Sequence, residues 1–324
     1  MKTLYKQIYL LLMQSSILVG GQAVIEGVMM RVPGAYATAV RLSDNTIKHK
    51  RYTFNSLIDN QKIYNKYFLR GMIHLYESMK IGYATLDWSS KIAEGSNYKE
   101  PNKIVDWMMT IISLMFALSL FVFSPLWITS HFFEDIINRP MYFNILSGLF
   151  RILIFLIYLI LISQLKDIKR LFQYHGAEHK TVYNFESGLD LNVENAQTFS
   201  TKHPRCGTSF IFIIMLVTIF TYAILDSIAL LFIDDLNYYY RMIFHILCLP
   251  LVSGVGYEVL KFLALKQKNT ICRLLSKPGL WLQHITTREP SNEQLEISIY
   301  ALKKAFGEKF NQYSGKKFTA DAIG

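Results

Sequence analysis

Four long apolar stretches punctuate the chain, at residues 107–128, 142–163, 208–233 and 240–264. Each supplies the roughly 20 helical residues needed to cross a hydrocarbon layer of about 30 Å, and the rest of the chain is too polar to do so. Between residues 35 and 54 the period changes. Tyr36, Thr38, Val40 and Leu42 alternate as a half-buried strand does, and residues 47–54 supply a partner across Ser43-Asp44-Asn45, which predicts a β-hairpin. From Tyr67 to Ala93 the apolar residues Phe68, Met72, Leu75, Met79, Tyr83 and Leu86 recur at intervals of three and four. That period predicts an amphipathic helix on the inner membrane face or on the bundle ends. Lys99-Glu100-Pro101-Asn102 breaks the chain before the first span.

Beyond the fourth span, Lys277-Pro278-Gly279 reads as a turn. Ser291 to Gln294 has the S-x-x-Q form of a helix capping box, ahead of a helix that faces Leu295, Ile299, Leu302 and Phe306 inward. Residues 311–324 read as frayed. At the other end, Lys2 and Lys6 followed by the apolar run 8–19 loosely imitate a signal peptide, but Gln14, Ser15 and Ser16 interrupt the run and no small-x-small site closes it. The segment is read as an uncleaved strand or surface helix. The pattern as a whole gives an α-helical membrane protein with four transmembrane helices and a small cytoplasmic α+β region. Its parts are an N-terminal α+β region (1–103), a four-helix bundle (104–265) with a long cytoplasmic loop at 164–207, and a C-terminal tail with an amphipathic helix (266–324). There is no internal repeat, and no inverted symmetry between the two pairs of spans of the kind transporters show.

A hydrophobic share of 52% agrees with the membrane class, and the net charge of +10 gains meaning when mapped onto the loops. Lys91, Lys99 and Lys103 precede the first span. Lys166, Lys169, Arg170, Lys180, Lys202 and Arg205 lie between the second and third, and Lys266, Lys268, Arg273 and Lys277 follow the fourth. The other two connections carry one arginine each, Arg139 and Arg241, beside acidic residues. The positive-inside rule therefore places both termini and the long loop in the cytoplasm. A basic inner surface also suits anionic lipid headgroups, at about 1 kcal/mol per cationic side chain near the surface. The bilayer, such headgroups or a membrane-protein partner are the partners expected. Nucleic acid is not, because the basic residues are spread along the membrane edge and no recognition module is present. Three scattered cysteines, Cys206, Cys248 and Cys272, give no disulfide framework.

Candidate chemistry concentrates in His175-Gly176-Ala177-Glu178-His179-Lys180, an H-x-x-E-H string. On a helix, positions 175, 178 and 179 share a side, so two imidazoles can ligate one ion while Glu178 acts as general base on a water. His203-Pro204-Arg205-Cys206 and Glu258 fall at the same level of the membrane. His175, His179, Glu258, His203 and Cys206 are thus the candidate ligands of Zn or another divalent transition metal, with Glu258 or His203 expected as the third ligand. Cys206 would favour a closed structural site. The plainer alternative is a polar turn at a membrane surface. An ionisable residue inside a span, such as Glu258, is expensive and faces a bundle interior or polar cavity, and Gly254 and Gly256 beside it allow a neighbouring backbone to approach. Arg151 and Asp226 lie at matching depths and are expected to form a buried ion pair. The string Gly20 to Arg31, with three glycines, is no phosphate loop and marks a tight, packed turn.

The motifs GGQAVIEGVMMR, FLRG (68–71), HGAEHK, HPRCGTSF, GYEVLKF and PGLWLQHITTREP, in this order around four spans, resemble the YqhQ-like family of bacterial membrane proteins. The resemblance covers nearly the whole chain after the first twenty residues. It implies a bacterial inner-membrane location and a family of unknown function described as predicted metal-dependent enzymes. The expectation is accordingly a metal-dependent membrane enzyme, hydrolytic in type, with its site at the cytoplasmic face. The alternative is a non-enzymatic scaffold or assembly factor that uses the same polar cluster structurally. A small transporter fits poorly, since the spans hold few polar residues.

Overall fold

The computed structural model describes residues 19–60, 64, 66–95, 102–266 and 269–318. The N-terminal run read as a strand or surface helix lies, up to residue 18, outside the described residues.

Four strands, β1 (Gly20–Val24), β2 (Gly27–Val32), β3 (Ala35–Arg41) and β4 (Ile47–Thr53), form one antiparallel sheet in chain order. The hairpin expected at 35–54 is β3 and β4, paired from Ala35↔Thr53 to Arg41↔Ile47. The string Gly20 to Arg31 is a second hairpin, not merely a tight turn. Its positive φ falls on Glu26 (52°) and not on a glycine. Gly27 is needed for closeness instead, since a Cβ there would sit 2.0 Å from the Ala39 carbonyl oxygen.

The helices follow as α1 (Leu69–Glu94), α2 (Lys103–Phe132), α3 (Pro140–Ile162), α4 (Lys166–Ser187), α5 (Gly207–Ala229), α6 (Tyr238–Leu265), α7 (Thr270–Thr286) and α8 (Asn292–Phe306). Stretches of α2, α3, α5 and α6 are long and apolar enough to cross a membrane, at the four places the sequence pattern marks. Half of the connection at 164–207 is the 22-residue helix α4.

Period-2 alternation splits the sheet into two apolar faces, and both are covered. Val28, Met30 and Val32 with Ala37 and Ala39 meet Leu295, Leu302 and Phe306 of α8 and Tyr174 and Phe185 of α4. Val24, Met29 and Val40 meet Ile81 of α1. β3 is therefore buried on both sides rather than half-buried, because α8 returns from the far end of the chain to cover the second face. Each such Leu, Val or Phe contributes about 1.5–3 kcal/mol by leaving water. α8 opens on the expected capping box, with Ser291 and Gln294 bonding each other's backbone reciprocally.

Three expectations are corrected. Lys277-Pro278-Gly279 is not a turn: Pro278 lies inside α7, which packs along α5, and this packing outweighs the backbone hydrogen bond that proline removes. The stretch from 311 is ordered through 318, with a helical turn at Phe310–Tyr313 and Phe318 buried against Phe185. Third, Arg151 and Asp226 do not pair. Asp226 accepts from Asn144 Nδ2 at 2.7 Å, Arg241 Nε at 2.8 Å and His245 Nε2 at 2.9 Å, all buried. Arg151 Nε donates to the Phe121 carbonyl at 2.9 Å. That carbonyl is available because its helical donor would be the N–H of residue 125, a proline, and the backbone widens to a π-helical turn over Ser119–Phe123 just before it. Arg151 stands level with Thr218, its Nη1 3.5 Å from that hydroxyl, whereas Asp226 stands level with Asn144, about two helical turns away, so the two depths do not match.

Candidate metal centre

The 175–179 segment is helical, inside the 22-residue α4, which ends at Gly188 in the left-handed region (φ 77°). Helical spacing therefore puts His175 and His179 one turn apart, with ring centroids 4.5 Å from each other. Gly176 between them is forced by packing: a Cβ there would lie 2.0 Å from the Arg288 carbonyl oxygen. α4 thus lies directly against the segment that follows α7.

That segment and the loop before α5 orient both imidazoles. His175 Nδ1 donates to the Thr286 carbonyl at 2.8 Å, and His179 Nδ1 donates to the Thr201 carbonyl. Carbonyls only accept, so each Nδ1 carries the proton and each Nε2 keeps its lone pair. His175 Nε2 faces Cys206 Sγ at 3.2 Å. Ligand atoms of His175, His179 and Cys206 all lie within 4.8 Å of one another. Cys206 is the N-cap of α5, where its sulfur accepts from the Thr208 backbone N–H at 3.4 Å. Two imidazole nitrogens and one thiol, with the far nitrogen of each ring anchored, form a donor set that suits zinc or a similar ion. Around a tetrahedral zinc, N and S ligand atoms stand about 3.6 Å apart by the usual bond lengths, against 3.2 Å between His175 Nε2 and Cys206 Sγ.

Glu178 lies outside that group of three, yet its Oε2 is 3.4 Å from His179 Nε2 and it accepts the Gly21 backbone N–H. Burial raises its carboxyl above the usual range, against the opposing charges of His175, His203 and Arg205. Burial also lowers the His179 imidazole, so that it is held neutral, the form a ligand needs.

The two side chains expected as third ligand are elsewhere. Glu258 is gripped bidentately by Arg70, with Nε to Oε1 at 2.7 Å. His203 is buried close to His179, but its Nδ1 accepts the Arg205 backbone N–H at 3.3 Å, which leaves the proton on Nε2, 3.8 Å from Glu186. Burial pushes the His203 imidazole down to about 4. Gln283 holds it in place from α7, donating to the His203 carbonyl and accepting its N–H, each at 2.8 Å.

Several functional partners had no reading in the sequence. Arg70 belongs to the FLRG turn, where Phe68 has φ 65° and its carbonyl oxygen lies 2.8 Å from where a Cβ on Gly254 would stand. The closeness read from Gly254 and Gly256 is real: the first admits Phe68 and the second Ile214. Lys180 is buried and bonds the Gln197 carbonyl and Glu289, both at 2.9 Å, which fastens α4 to the segment that carries Thr286. The only signal for these was their presence in dense motifs, because main-chain acceptors such as Thr201 and Thr286 carry no side-chain signature.

A family model described as a protein of unknown function (DUF1385) matches residues 67–308, a range that holds α4, Cys206 and the 283–288 segment. The uncharacterized protein YqhQ of Bacillus subtilis (strain 168) is 33% identical over 298 residues, covering 86% of this chain and 89% of that protein. No solved structure matches the chain. With the family model spanning most of the sequence and the relative aligned along nearly all of it, the chain belongs to the YqhQ-like DUF1385 family, whose function is unknown.

Proposed function

We propose that this protein is a metal-dependent hydrolase of the bacterial inner membrane, with both termini and its reactive centre on the cytoplasmic side. One observation carries the reading: two backbone carbonyls fix the Nδ1–H form of His175 and His179, so both Nε2 lone pairs converge with the Cys206 sulfur. Zinc or another divalent transition ion held there supplies Lewis acidity toward a carbonyl or phosphoryl oxygen. His175, His179 and Cys206 would hold such an ion as three protein ligands. Glu178 is placed to accept a proton from water at Oε2 and to pass it to the leaving group, and its raised pKa brings it toward the working range of a general base. Cys206 also borders a cavity of about 720 Å³, which His175, His179 and Glu178 do not line. The sided charge distribution of the loops supports the orientation, with the bilayer as immediate partner.

A scaffold role is the second reading, and it too has an observation behind it. The same two carbonyl bonds tie α4 to Thr201 and Thr286, so His175 and His179 also staple α4 to the loop before α5 and to the end of α7. Metal content separates the two readings. Elemental mass spectrometry on detergent-purified protein is expected to find about one zinc or other transition ion per chain, lost in His175→Ala plus His179→Ala and in Cys206→Ser. Glu178→Gln is expected to retain the ion and to lose hydrolysis. Absence of any ion, before and after zinc is added back to protein prepared without chelators, would leave only the scaffold.

A further inference from the structure

The cavity beside Cys206 lies between the β1–β2 edge of the sheet, α1, the N-terminal end of α5 and the cap-side end of α6. Its charge is one-sided. Arg31, Arg70, Arg205 and Lys261 line it, and among the described residues no aspartate or glutamate does. The carboxylates that pair with Arg70 and Arg205, Glu258 and Glu186, do not line the space. Two polar atoms at this wall have no hydrogen-bond partner: the hydroxyl of Tyr257, a residue 5% exposed, and Arg205 Nε. An unsatisfied buried donor costs on the order of 1–3 kcal/mol, so these two lining residues carry an unmet demand for an acceptor. Gly207, the first residue of the 23-residue α5, also lines the space, with nothing within 4 Å of where a Cβ would be. The helix start, whose Thr208 N–H already donates to Cys206 Sγ, adds a positive dipole end.

The remaining lining is apolar, with Met29, Phe54, Ile58, Leu75 and Ile81. α1 presents Arg70, His74, Leu75 and Ser78 to the cavity and carries Tyr76, Met79 and Tyr83 on other positions, 58–66% exposed. In water an aromatic row of that exposure is unusual for a helix, whereas at a membrane surface it is ordinary. With α1 at a membrane surface, those exposed side chains would face lipid while Arg70, His74, Leu75 and Ser78 face the cavity. A charged pocket with an apolar side, beside an interfacial helix, matches one ligand chemistry.

We propose that this cavity binds the phosphate-bearing headgroup of an anionic lipid, with the phosphate at Lys261, Arg31 and the Tyr257 hydroxyl and the first part of the acyl or glycerol region against the Met29–Ile81 side. As a statement of substrate class the proposal rests on the hydrolase reading. As a statement of binding it does not, and it holds for protein stripped of metal.

The experiment uses the full chain, metal-stripped with a chelator that is then removed, in detergent. Binding is measured by native mass spectrometry and by calorimetry with dioctanoyl phosphatidylglycerol, dioctanoyl phosphatidylcholine, glycerol 3-phosphate and inorganic phosphate as probes. The expected result is at least tenfold tighter binding of phosphatidylglycerol than of the other three. Tyr257→Phe and Lys261→Gln are each expected to weaken it about fivefold or more with an unchanged melting temperature. Both substitutions are conservative in shape, and the melting temperature reports whether the fold is kept. Equal binding of phosphatidylglycerol and phosphatidylcholine would overturn the proposal. Equal binding of glycerol 3-phosphate and the anionic lipid would overturn it in favour of a soluble phosphate ester, and binding unaffected by both substitutions would place the lipid elsewhere. Loss of the metal centre in the separate elemental analysis would leave the lipid result standing, so the two readings fail independently.

Discussion

Replacing Asp226 by leucine is expected to destabilise the bundle by about 3–5 kcal/mol, because it strands a charged arginine with no counter-ion in a buried site. Arg241 and Asp226 have fully buried side chains, and Asn144 and His245 use the same carboxylate. Removing it takes an acceptor from three donors at once, and one Arg241 nitrogen, Nη1, already lacks a partner. Chemical or thermal unfolding in detergent measures the loss. Arg241→Met added to Asp226→Leu should restore most of the stability, since both charges are then gone and an apolar pair fills the space. A single variant as stable as the parent would show that the carboxylate contributes nothing to the bundle.

The second large effect is expected at Gly176, where alanine adds one methyl group. A Cβ there would lie 2.0 Å from the Arg288 carbonyl oxygen, a backbone atom that cannot rotate aside. Either α4 or the 287–290 segment has to shift, a strain in the range of about 1–3 kcal/mol or more. The shift also moves Thr286, two residues earlier, whose carbonyl fixes His175. Gly176→Ala should therefore lower the melting temperature and, on the proposed metal reading, also weaken retention of an ion, behaving like a ligand variant although it supplies no ligand. Gly20→Ala, where the added methyl group meets nothing within 4 Å, is the control expected to change neither quantity. Full metal retention in Gly176→Ala would mean that the Thr286 bond does not position His175.

What the chain disclosed in advance divides along physical lines. Spans, the β3–β4 hairpin, the amphipathic α1 and the capped α8 were legible because each is a local period or a local cap. β1 and β2 were less so: their string is rich in glycine and lacks clean alternation, since Gly27 is there to admit the Ala39 backbone and not to mark a turn. In the candidate centre the H-x-x-E-H spacing and Cys206 were visible, but the choice of third partner was not. Glu258 looked available because its counter-ion, Arg70, comes from a helix some 190 positions earlier, a pairing no spacing rule contains. His203 looked equivalent to its neighbours until the Arg205 N–H settled which of its nitrogens bears the proton. Tautomers and main-chain acceptors are properties of folded geometry, and a string of residue types does not hold them.

The covering of β2 and β3 by α8 bears on how the protein is made. The sheet is complete once residue 53 has left the ribosome, but the helix that covers its second face begins at Asn292, after all four apolar spans. At about 5–20 residues per second of synthesis, the interval is on the order of ten to fifty seconds. During that time Val28, Met30 and Val32 have no lasting apolar cover from α8. Nascent chains of this protein should consequently be chaperone clients over that window. Synthesis stalled before Asn292 should yield inserted spans with a protease-sensitive head, and release of the last segment should close the cap in a single late step.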